Sequence, residues 1–452
     1  MATEVSGTLS LVPRDAPGGF TQAVASAILG ETPGSPVRPL STVAEMCAAI
    51  STVYDAIAVR PAVAARSTAD DVSPAQAHPG DDSTGSVPAD GAISAAHDVS
   101  LAPAQSNGDS ASAVSGHGTV FASGAARVGR QAAPLPDPLA LWVVAVPDLG
   151  GVARHVLDAA RAGVPGYRLM VVCPEGPLAA TLRAQGCAVV TAPISPADPL
   201  PQGIAALRRT IRSLRPAVVH SHLAYSDFVA AGAAVGSGAR LVTTEHGIAG
   251  DDLVYHGTAL RSRVMAAAHH VRLRRFDALI AVSEATLEAV RTKWRPTARL
   301  RIWVIPNGVD VPARAYEPVP GRFHVVSLAR LAPEKGLTDL VEAFALVRAA
   351  RPEATLTLAG EGPLRADLER KVADLGLANA VSLPGYVDAA GLLASADVLA
   401  QLSVWENCSY SLLDALAAGL TAVATPFGGN QENQEPRTPP SNKECQLVMN
   451  VQ

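Results

Sequence analysis

Two carboxylates, Glu406 and Asp414, have seven residues between them and flank the start of a predicted helix. The apolar run before them, 398–402, is typical of a buried strand, and 411–418 contains good helix formers that end at Gly419. Glu406 is therefore predicted in a strand-to-helix loop and Asp414 on the helix. In a parallel sheet such loops open where ligands bind, and a helix start presents free N–H groups there. Carboxylates at this position suit sugar hydroxyls.

Two cations, Arg330 and Lys335, follow an earlier predicted strand in the segment SLARLAPEKG. This segment again predicts a strand, a loop and a helix start. Fixed positive charges at such a position stabilise a departing diphosphate, on which negative charge grows as the sugar bond breaks. The alternative is that both cations pair with acids on the surface.

A glycine pair and several histidines follow strands that are predicted nearer the N-terminus. Gly150 and Gly151 come after the strand 140–146, where paired glycines allow close approach of a ligand and the next helix start favours an anion. A tight turn without a ligand is the alternative. His222 and His246 follow two later strands, at the edge where ligands bind, although a histidine at a strand end is more often structural.

Taken together, these motifs resemble the retaining, nucleotide-sugar-dependent glycosyltransferases of family 4, whose GT-B fold has two facing Rossmann-like domains. The resemblance covers about Leu139 to Glu432 and departs from the family at Asp414, where the usual residue is Glu. Whatever this shorter acid holds must come closer or be held less well. The motifs that carry the resemblance are E-x7-E (Glu406 and Asp414), GG-x-x-x-H (Gly150, Gly151 and His155) and R-x4-K-G (Arg330 and Lys335).

The resemblance implies roles in binding the donor. Arg330 and Lys335 would hold the diphosphate, Glu406 the hydroxyls of the donor sugar, and Asp414 the ribose. His246 would reach the transferred sugar. The resemblance further implies contact of Gly150 and Gly151 with the donor phosphates or the acceptor, of Gly385 and Tyr386 with the nucleobase, and a place for His155 and His222 on the acceptor side.

The alternation of apolar runs and helical stretches predicts an α/β protein with two parallel sheets, each covered on both faces. We predict a first Rossmann-like domain on the acceptor side at 138–305, a linker at 306–321 and a nucleotide-sugar-binding domain at 322–432. The predicted strands are 140–146, 168–172, 187–191, 217–220, 240–244, 277–282 and 301–304 in the first domain, and 323–328, 354–359, 379–383, 396–401 and 421–424 in the second.

Both ends of the chain differ in character from these domains. Residues 1–137 are rich in Ala, Ser, Gly, Asp and Pro, and we predict a mostly disordered, low-complexity extension with a short helix within Val43 to Val63. Residues 433–452 form a polar tail, which we interpret as a truncation or frame change. The second domain is therefore predicted to be incomplete, with an open sheet edge after 421–424.

Composition and charge narrow the class of partner. A net charge of −5 and a pI near 6.1 argue against nucleic acid, and five scattered cysteines without metal or disulfide spacing favour a reducing cytoplasm. The sequence after Met1 does not resemble a signal peptide. The basic stretch Arg261 to Phe276 could lie on an anionic membrane, at the inner face of the plasma membrane, although a solvated helix is the alternative.

We therefore predict transfer of a hexosyl unit from a UDP-sugar or GDP-sugar to a hydroxyl acceptor, with retention as the resemblance implies. The acceptor would be a cell-envelope glycan, a glycolipid or a small-molecule glycoside. No Asp-x-Asp metal handle is present, so no metal or cofactor is expected. The alternatives are an inactive remnant of such an enzyme and an epimerase or phosphorylase of the same fold.

Overall fold

The computed structural model describes residues 8–434, apart from short gaps at 17–18, 33 and 38 and longer gaps at 59–135, 249–266, 313–316 and 318. Most of the predicted low-complexity region, the tail after 434 and the start of the predicted basic stretch at Arg261 lie outside these described residues.

The first sheet has seven parallel strands in the order β5-β4-β3-β6-β7-β8-β9. Alternate side chains of its central strand enter different cores: Trp142 packs on one face, and Leu141 and Val143 pack on the other. This is the expected result for apolar strands covered by helices on both sides. The strands are β3 (Leu139–Val144), β4 (Arg168–Cys173), β5 (Ala188–Thr191), β6 (Val218–His222), β7 (Arg240–Glu245), β8 (Ala278–Ala281) and β9 (Arg301–Val304).

Helices connect these strands and cover the sheet. A π-helical turn at Val290–Trp294 extends the last of these helices. The helices are α3 (Gly151–Ala162), α4 (Pro177–Ala184), α5 (Leu200–Leu214), α6 (Ala224–Ala233), α7 (267–273) and α8 (Glu284–Ala289).

The second sheet also has seven strands, in the order β12-β11-β10-β13-β14-β1-β2, and five of them come from the C-terminal half of the chain. Those five are β10 (Phe323–Leu328), β11 (Ala354–Ala359), β12 (Val381–Gly385), β13 (Val398–Gln401) and β14 (Thr421–Ala424). The helices are α9 (Leu337–Ala350), α10 (Arg365–Asp374), α11 (Ala389–Ala394) and α12 (Tyr410–Ala417), with 3-10 turns at Pro333–Lys335 and Gly428–Asn433. All predicted strands lie within a few residues of observed ones.

The other two strands of this sheet come from the N-terminal segment, which we define as residues 8–58. The segment contains β1 (Thr8–Leu11), α1 (Phe20–Ile28), β2 (Ser35–Pro36) and α2 (Val43–Ile57). β1 pairs in parallel with β14 over its whole length, and β2 pairs antiparallel with β1. Helix α1 packs on α9 of the second domain, whereas α2 packs on α3 of the first.

The prediction of a mostly disordered extension is therefore wrong for the N-terminal segment, although the predicted helix within Val43 to Val63 is confirmed by α2. The prediction of an open edge after β14 is wrong for the same reason, because β1 occupies that edge. Short apolar runs in the segment are deeply buried: Leu9, Val24, Ile50 and Tyr54 are all fully enclosed. The average composition of 1–137 is dominated by residues outside the described part and conceals these runs.

Within the described part of the chain, no helix combines the length and the apolar character that crossing a membrane requires. In the described portion of the predicted basic stretch, Arg272 is buried while Arg274 and Arg275 are exposed. The prediction of a solvated or membrane-facing helix is therefore wrong for Arg272, which lies in the core.

Candidate functional site

A cavity of about 670 Å³ lies where loops that follow the strands of the two sheets face each other. We call it the cleft. It brings together residues that are distant in the sequence, since Gly150 of the first domain and Glu406 of the second both contribute to its wall. The predicted site residues that line the cleft are Gly150, Gly151, His246, Arg330, Lys335, Tyr386 and Glu406.

Lys335 and Glu406 form the central ion pair of the cleft. The Lys335 Nζ lies 2.5 Å from the Glu406 Oε1, and the two side chains are only 21% and 14% exposed. The same carboxylate oxygen accepts hydrogen bonds from the Ser403 hydroxyl at 2.7 Å and from the Gln401 amide at 3.3 Å. A carboxylate held by three donors is fixed in position, and so is the ammonium group beside it.

Arg330 is more open than Lys335. Its guanidinium donates to the Glu334 carboxylate, and the Arg330 side chain remains 61% exposed at the cleft wall. Both predicted cations therefore do pair with acids. Pairing leaves further guanidinium and ammonium N–H groups available for a ligand, since Arg carries five donors and Lys three.

Two glycines allow the loops that carry these charges to touch. Gly336, with φ +62°, follows Lys335, and a Cβ there would lie 2.2 Å from the Leu402 carbonyl oxygen. Gly428, with φ +57°, packs so closely that a Cβ would lie 1.6 Å from the Glu406 carbonyl oxygen. Only glycine tolerates both the left-handed backbone and this proximity. The two glycines therefore permit the close backbone packing that positions Lys335 and Glu406.

Asp414 is placed differently from the other predicted donor residues. It lies on α12, as predicted, but lines a neighbouring cavity of about 770 Å³ rather than the cleft. Arg154 of α3 reaches across from the first domain, with its two terminal nitrogens 3.3 and 3.4 Å from the Asp414 oxygens. Burial raises the pKa of Asp414, and the charge of Arg154 opposes that rise. The predicted ribose ligand therefore already has a cationic partner.

We expect Asp414→Ala to weaken UDP binding about tenfold, because the diol of the ribose loses a charged acceptor, and Asp414→Glu to hold or improve affinity. Isothermal titration with UDP measures both. Asp158→Asn is the matched control, since Asp158 also holds Arg154, at 2.5 Å, but is not a predicted ligand. If Glu were as damaging as Ala, Asp414 would be a structural partner of Arg154 alone.

Three histidines cluster beside the cleft. His222 Nδ1 and His246 Nε2 lie 3.0 Å apart, their rings stack, and the His155 ring meets His246 edge-on at 4.8 Å between centroids. Burial lowers the pKa of His155 to about 4 and the pKa values of His222 and His246 well below the usual range. The cluster is therefore uncharged at neutral pH. Only His246 reaches the cleft wall.

Polar side chains that the sequence reasoning missed join the two domains beside the cleft. The Asn307 amide contacts His155 Nδ1 at 3.2 Å and donates to the Cys408 carbonyl oxygen at 3.0 Å. The Glu432 carboxylate accepts hydrogen bonds from the first two backbone N–H groups of α8, at 3.0 and 2.9 Å. Asn307 lies at the start of the predicted linker, where the run PNGVD contains typical turn residues. The missed residues with direct contacts in the site are Arg154, Asn307, Gln401, Ser403, Asn407 and Glu432.

Gly385 and Tyr386 lie at the junction between β12 of the second domain and the loop that follows it. Gly385 ends β12 with φ +83°, and a Cβ there would lie 2.6 Å from the Glu361 carboxylate. Tyr386 follows at the cleft wall and is 81% exposed. Their contact with a nucleobase stays a prediction.

Two Rossmann-like domains with parallel sheets that face one cleft define the GT-B class of glycosyltransferase fold. Residues 149–312 match the family model of Glycosyltransferase Family 4, and residues 322–445 match that of Glycosyl transferases group 1. These matches cover the two domains separately. Both lie C-terminal to the N-terminal segment.

Solved structures and curated relatives agree with this class. The Anabaena protein HepE in complex with UDP-glucose is similar over 66% of this chain and 83% of its own, with 24% identity and a TM-score of 0.56. A glycogen synthase from Mycobacterium tuberculosis is 29% identical over 62% of this chain and 75% of its own length. A GDP-mannose-dependent phosphatidylinositol dimannoside mannosyltransferase from the same species is 34% identical, but over only 27% of this chain and 34% of its own. Together these findings support a glycosyltransferase with the GT-B fold.

Proposed function

We propose that this protein transfers a hexosyl unit from a nucleoside diphosphate sugar, with UDP or GDP as the nucleotide, to a hydroxyl acceptor. The carrying observation is the Lys335–Glu406 pair in the cleft, opposite the Gly150–Gly151 loop that begins α3. Lys335 and Arg330 offer positive charge for a diphosphate, and Glu406 offers an acceptor for sugar hydroxyls. The names of HepE bound to UDP-glucose and of the GDP-mannose-dependent relative support this class of donor.

In the proposed reaction, the bond between the anomeric carbon and the diphosphate breaks while charge accumulates on the leaving oxygen. Lys335 and Arg330 stabilise that charge, and preorganised groups of this kind supply the largest part of many rate enhancements. With retention, the acceptor oxygen attacks from the face that the diphosphate leaves, and its proton passes to a leaving-group oxygen. No protein nucleophile is needed. His246, neutral and at the cleft wall, is suited to hydrogen bonding with the transferred sugar rather than to electrostatic stabilisation.

The acceptor belongs to the class of hydroxyl compounds: a cell-envelope glycan, a glycolipid or a small-molecule glycoside. The names of the glycogen synthase and of the phosphatidylinositol dimannoside mannosyltransferase refer to a glucan and to a lipid. Both kinds of molecule carry hydroxyl groups that can accept a sugar. An inactive remnant was suggested by the apparent lack of elements after β14. The N-terminal segment occupies that place, which weakens the argument for a remnant.

Thermal stability with UDP, GDP, ADP and their sugars tests the proposal. A nucleotide at a hundred times its dissociation constant should stabilise the fold by about 2.7 kcal/mol, and only the correct nucleobase should do so at micromolar concentrations. Turnover of the stabilising donor is then followed by release of the free nucleotide. No stabilisation by any nucleotide or nucleotide sugar would contradict the proposal.

We expect turnover to survive chelation, because the proposed site uses cations and helix starts rather than a metal. In the described part of the chain, the one group suited to a metal is His155, His222 and His246, whose ligand atoms lie within 4.8 Å of one another. The hydrogen bond between His222 and His246 already uses two of these nitrogens. The rate with EDTA should match the untreated rate. A loss that manganese or magnesium restores would place a metal in the reaction.

A cytoplasmic location at the inner face of the plasma membrane forms a further part of the proposal. Of the predicted membrane-facing stretch, Arg274 and Arg275 are exposed in the described residues. Co-sedimentation with anionic vesicles tests this contact directly.

A further inference from the structure

We propose that the N-terminal segment supplies positioning residues to both halves of the cleft, with Arg14 acting on the donor side and Tyr54 on the histidine side. This inference rests on the proposed function of the cleft. The segment lies outside both family matches, and the sequence motifs of the proposed site include neither Arg14 nor Tyr54.

Arg14 lies in the loop between β1 and α1 and connects the two elements that carry the central ion pair. One terminal nitrogen donates to the Asp339 carboxylate in the first turn of α9, at 2.6 Å. The other donates to the Leu402 carbonyl oxygen at the end of β13, at 3.1 Å. Lys335 comes just before α9, and Glu406 is four residues beyond Leu402. A single guanidinium therefore links the first turn of α9, through the Asp339 side chain, to the backbone just after β13.

The packing around Gly336 shows how closely Arg14 follows these loops. A Cβ at Gly336 would lie 2.9 Å from the Arg14 terminal nitrogen and 2.2 Å from the Leu402 carbonyl oxygen. Phe20 of α1 covers the guanidinium, with 4.7 Å between the Arg14 Cζ and the ring centroid. The loop that delivers Lys335 is thus enclosed between β13 and the N-terminal segment, and movement of Arg14 would be transmitted to the ammonium group.

Tyr54 of α2 reaches the histidine cluster from the opposite direction. Its hydroxyl accepts from the Trp142 indole N–H at 2.7 Å and lies 2.6 Å from His220 Nδ1. His220 Nε2 lies 2.7 Å from the Thr244 hydroxyl, so both ring nitrogens are held. The His220 ring stacks on His222 at 4.5 Å, and His222 is the partner of His246. Tyr54 therefore fixes the base of a stack whose last member faces the cleft.

Full-chain variants separate the two actions. Arg14→Met removes the guanidinium at similar volume, and we expect UDP affinity to fall about threefold to tenfold because the Lys335 and Glu406 loops lose a shared charged hydrogen bond. Arg14→Lys should recover only part of the affinity, since an ammonium group does not make the two directed contacts of a guanidinium. Glu31→Gln, an exposed change in the same segment, is the matched control and should leave UDP affinity unchanged.

Tyr54→Phe removes one oxygen and leaves the Trp142 N–H and one His220 nitrogen without their partner. We expect UDP affinity to stay unchanged, because in the proposed site His246 contacts the sugar and not the nucleotide, while kcat falls because the stack that ends at His246 loses a hydrogen bond. Affinities are measured by titration well below the unfolding temperature of each variant, so that loss of stability alone does not alter them.

The outcomes are distinct. Loss of UDP affinity with Arg14→Met and loss of kcat alone with Tyr54→Phe support the proposal. If both variants lower the melting temperature but retain wild-type UDP affinity and kcat, the segment is only a structural cover and the proposal is wrong. If the wild-type chain binds no nucleotide, the proposed function fails instead.

Discussion

Lys335→Ala should reduce turnover by about a hundredfold to a thousandfold and weaken UDP binding about tenfold. The larger effect falls on turnover because negative charge on the diphosphate increases as the sugar bond breaks. The substitution also leaves Glu406 without its ammonium partner in a cleft where both groups are mostly buried. An unpaired carboxylate there repels the diphosphate, so one change acts twice on the same ligand.

Lys371→Ala provides the matched control. Lys371 also pairs with a glutamate of the second domain, Glu342, at 2.5 Å, but on the surface of the fold. Such exposed pairs contribute little, so this variant should keep the turnover and affinity of the wild type. The double variant Lys335→Ala, Glu406→Gln should recover part of the lost nucleotide affinity by removing the repulsion. Equal calorimetric affinities for Lys335→Ala and Lys371→Ala would remove Lys335 from the donor site.

The parallel sheets could be predicted from the sequence because each strand carries its own signal. A run such as LALWVV is apolar at every position, which indicates a strand buried on both faces. The loop residues that follow a strand are adjacent to it in the sequence and can be identified in the same way. For the same reason Glu406, Lys335 and Gly150 could be placed at strand ends without any knowledge of their partners. The order of elements along the chain then predicts that they share one edge.

Contacts between distant parts of the chain could not be predicted in this way. Arg14 and the Leu402 carbonyl are 388 residues apart, and Arg154 and Asp414 are 260 residues apart. Neither residue of such a pair has a local pattern that identifies the other. The N-terminal segment shows the same limit at the level of a whole sheet, since β1 carries only four residues and its pairing with β14 depends on an edge formed near the other end of the sequence.

Charge was the least reliable signal, and Arg272 shows why. In the sequence it belongs to a run of basic residues, which favours a solvated or membrane-facing helix. In the structure its side chain is inaccessible to solvent and lies between the carboxylates of Asp227 and Glu245, with the Glu245 contact at 2.6 Å. Its Cζ also lies 4.7 Å from the centre of the Trp294 ring. The two acids that need this cation are 27 and 45 residues away from it.

This buried triad supports the second of the large predictions, which concerns stability. Arg272→Met should lower the free energy of unfolding by about 3–5 kcal/mol, because it removes the guanidinium that contacts both buried acids and leaves the buried Asp227 carboxylate without this cation. Arg275→Met, at an exposed position three residues away, should change it by less than about 0.5 kcal/mol. Urea unfolding followed by tryptophan fluorescence measures both. Arg272→Lys gives a folded comparison, since it keeps the charge but lacks the fork that reaches two acids.

The pH dependence of the triad distinguishes a charge effect from a packing effect. Burial raises the pKa of Glu245 to about 8, so the folded protein retains a proton that the unfolded chain releases near its usual pKa of 4.5. The folded state therefore binds more protons across this interval, and the stability contributed by Glu245 is lost as pH rises from about 4.5 through 8. Histidines of the unfolded chain still titrate near pH 6.5 and therefore oppose this slope below about pH 7.5, but their effect cancels when variants with the same histidines are compared. Glu245→Gln should flatten the decline in this window, and in the Arg272→Met background it should restore part of the lost stability. If Arg272→Met is equally destabilised at pH 6.5 and 8, and Glu245→Gln restores nothing, the loss arises from packing against Trp294 and the triad is not held together by charge.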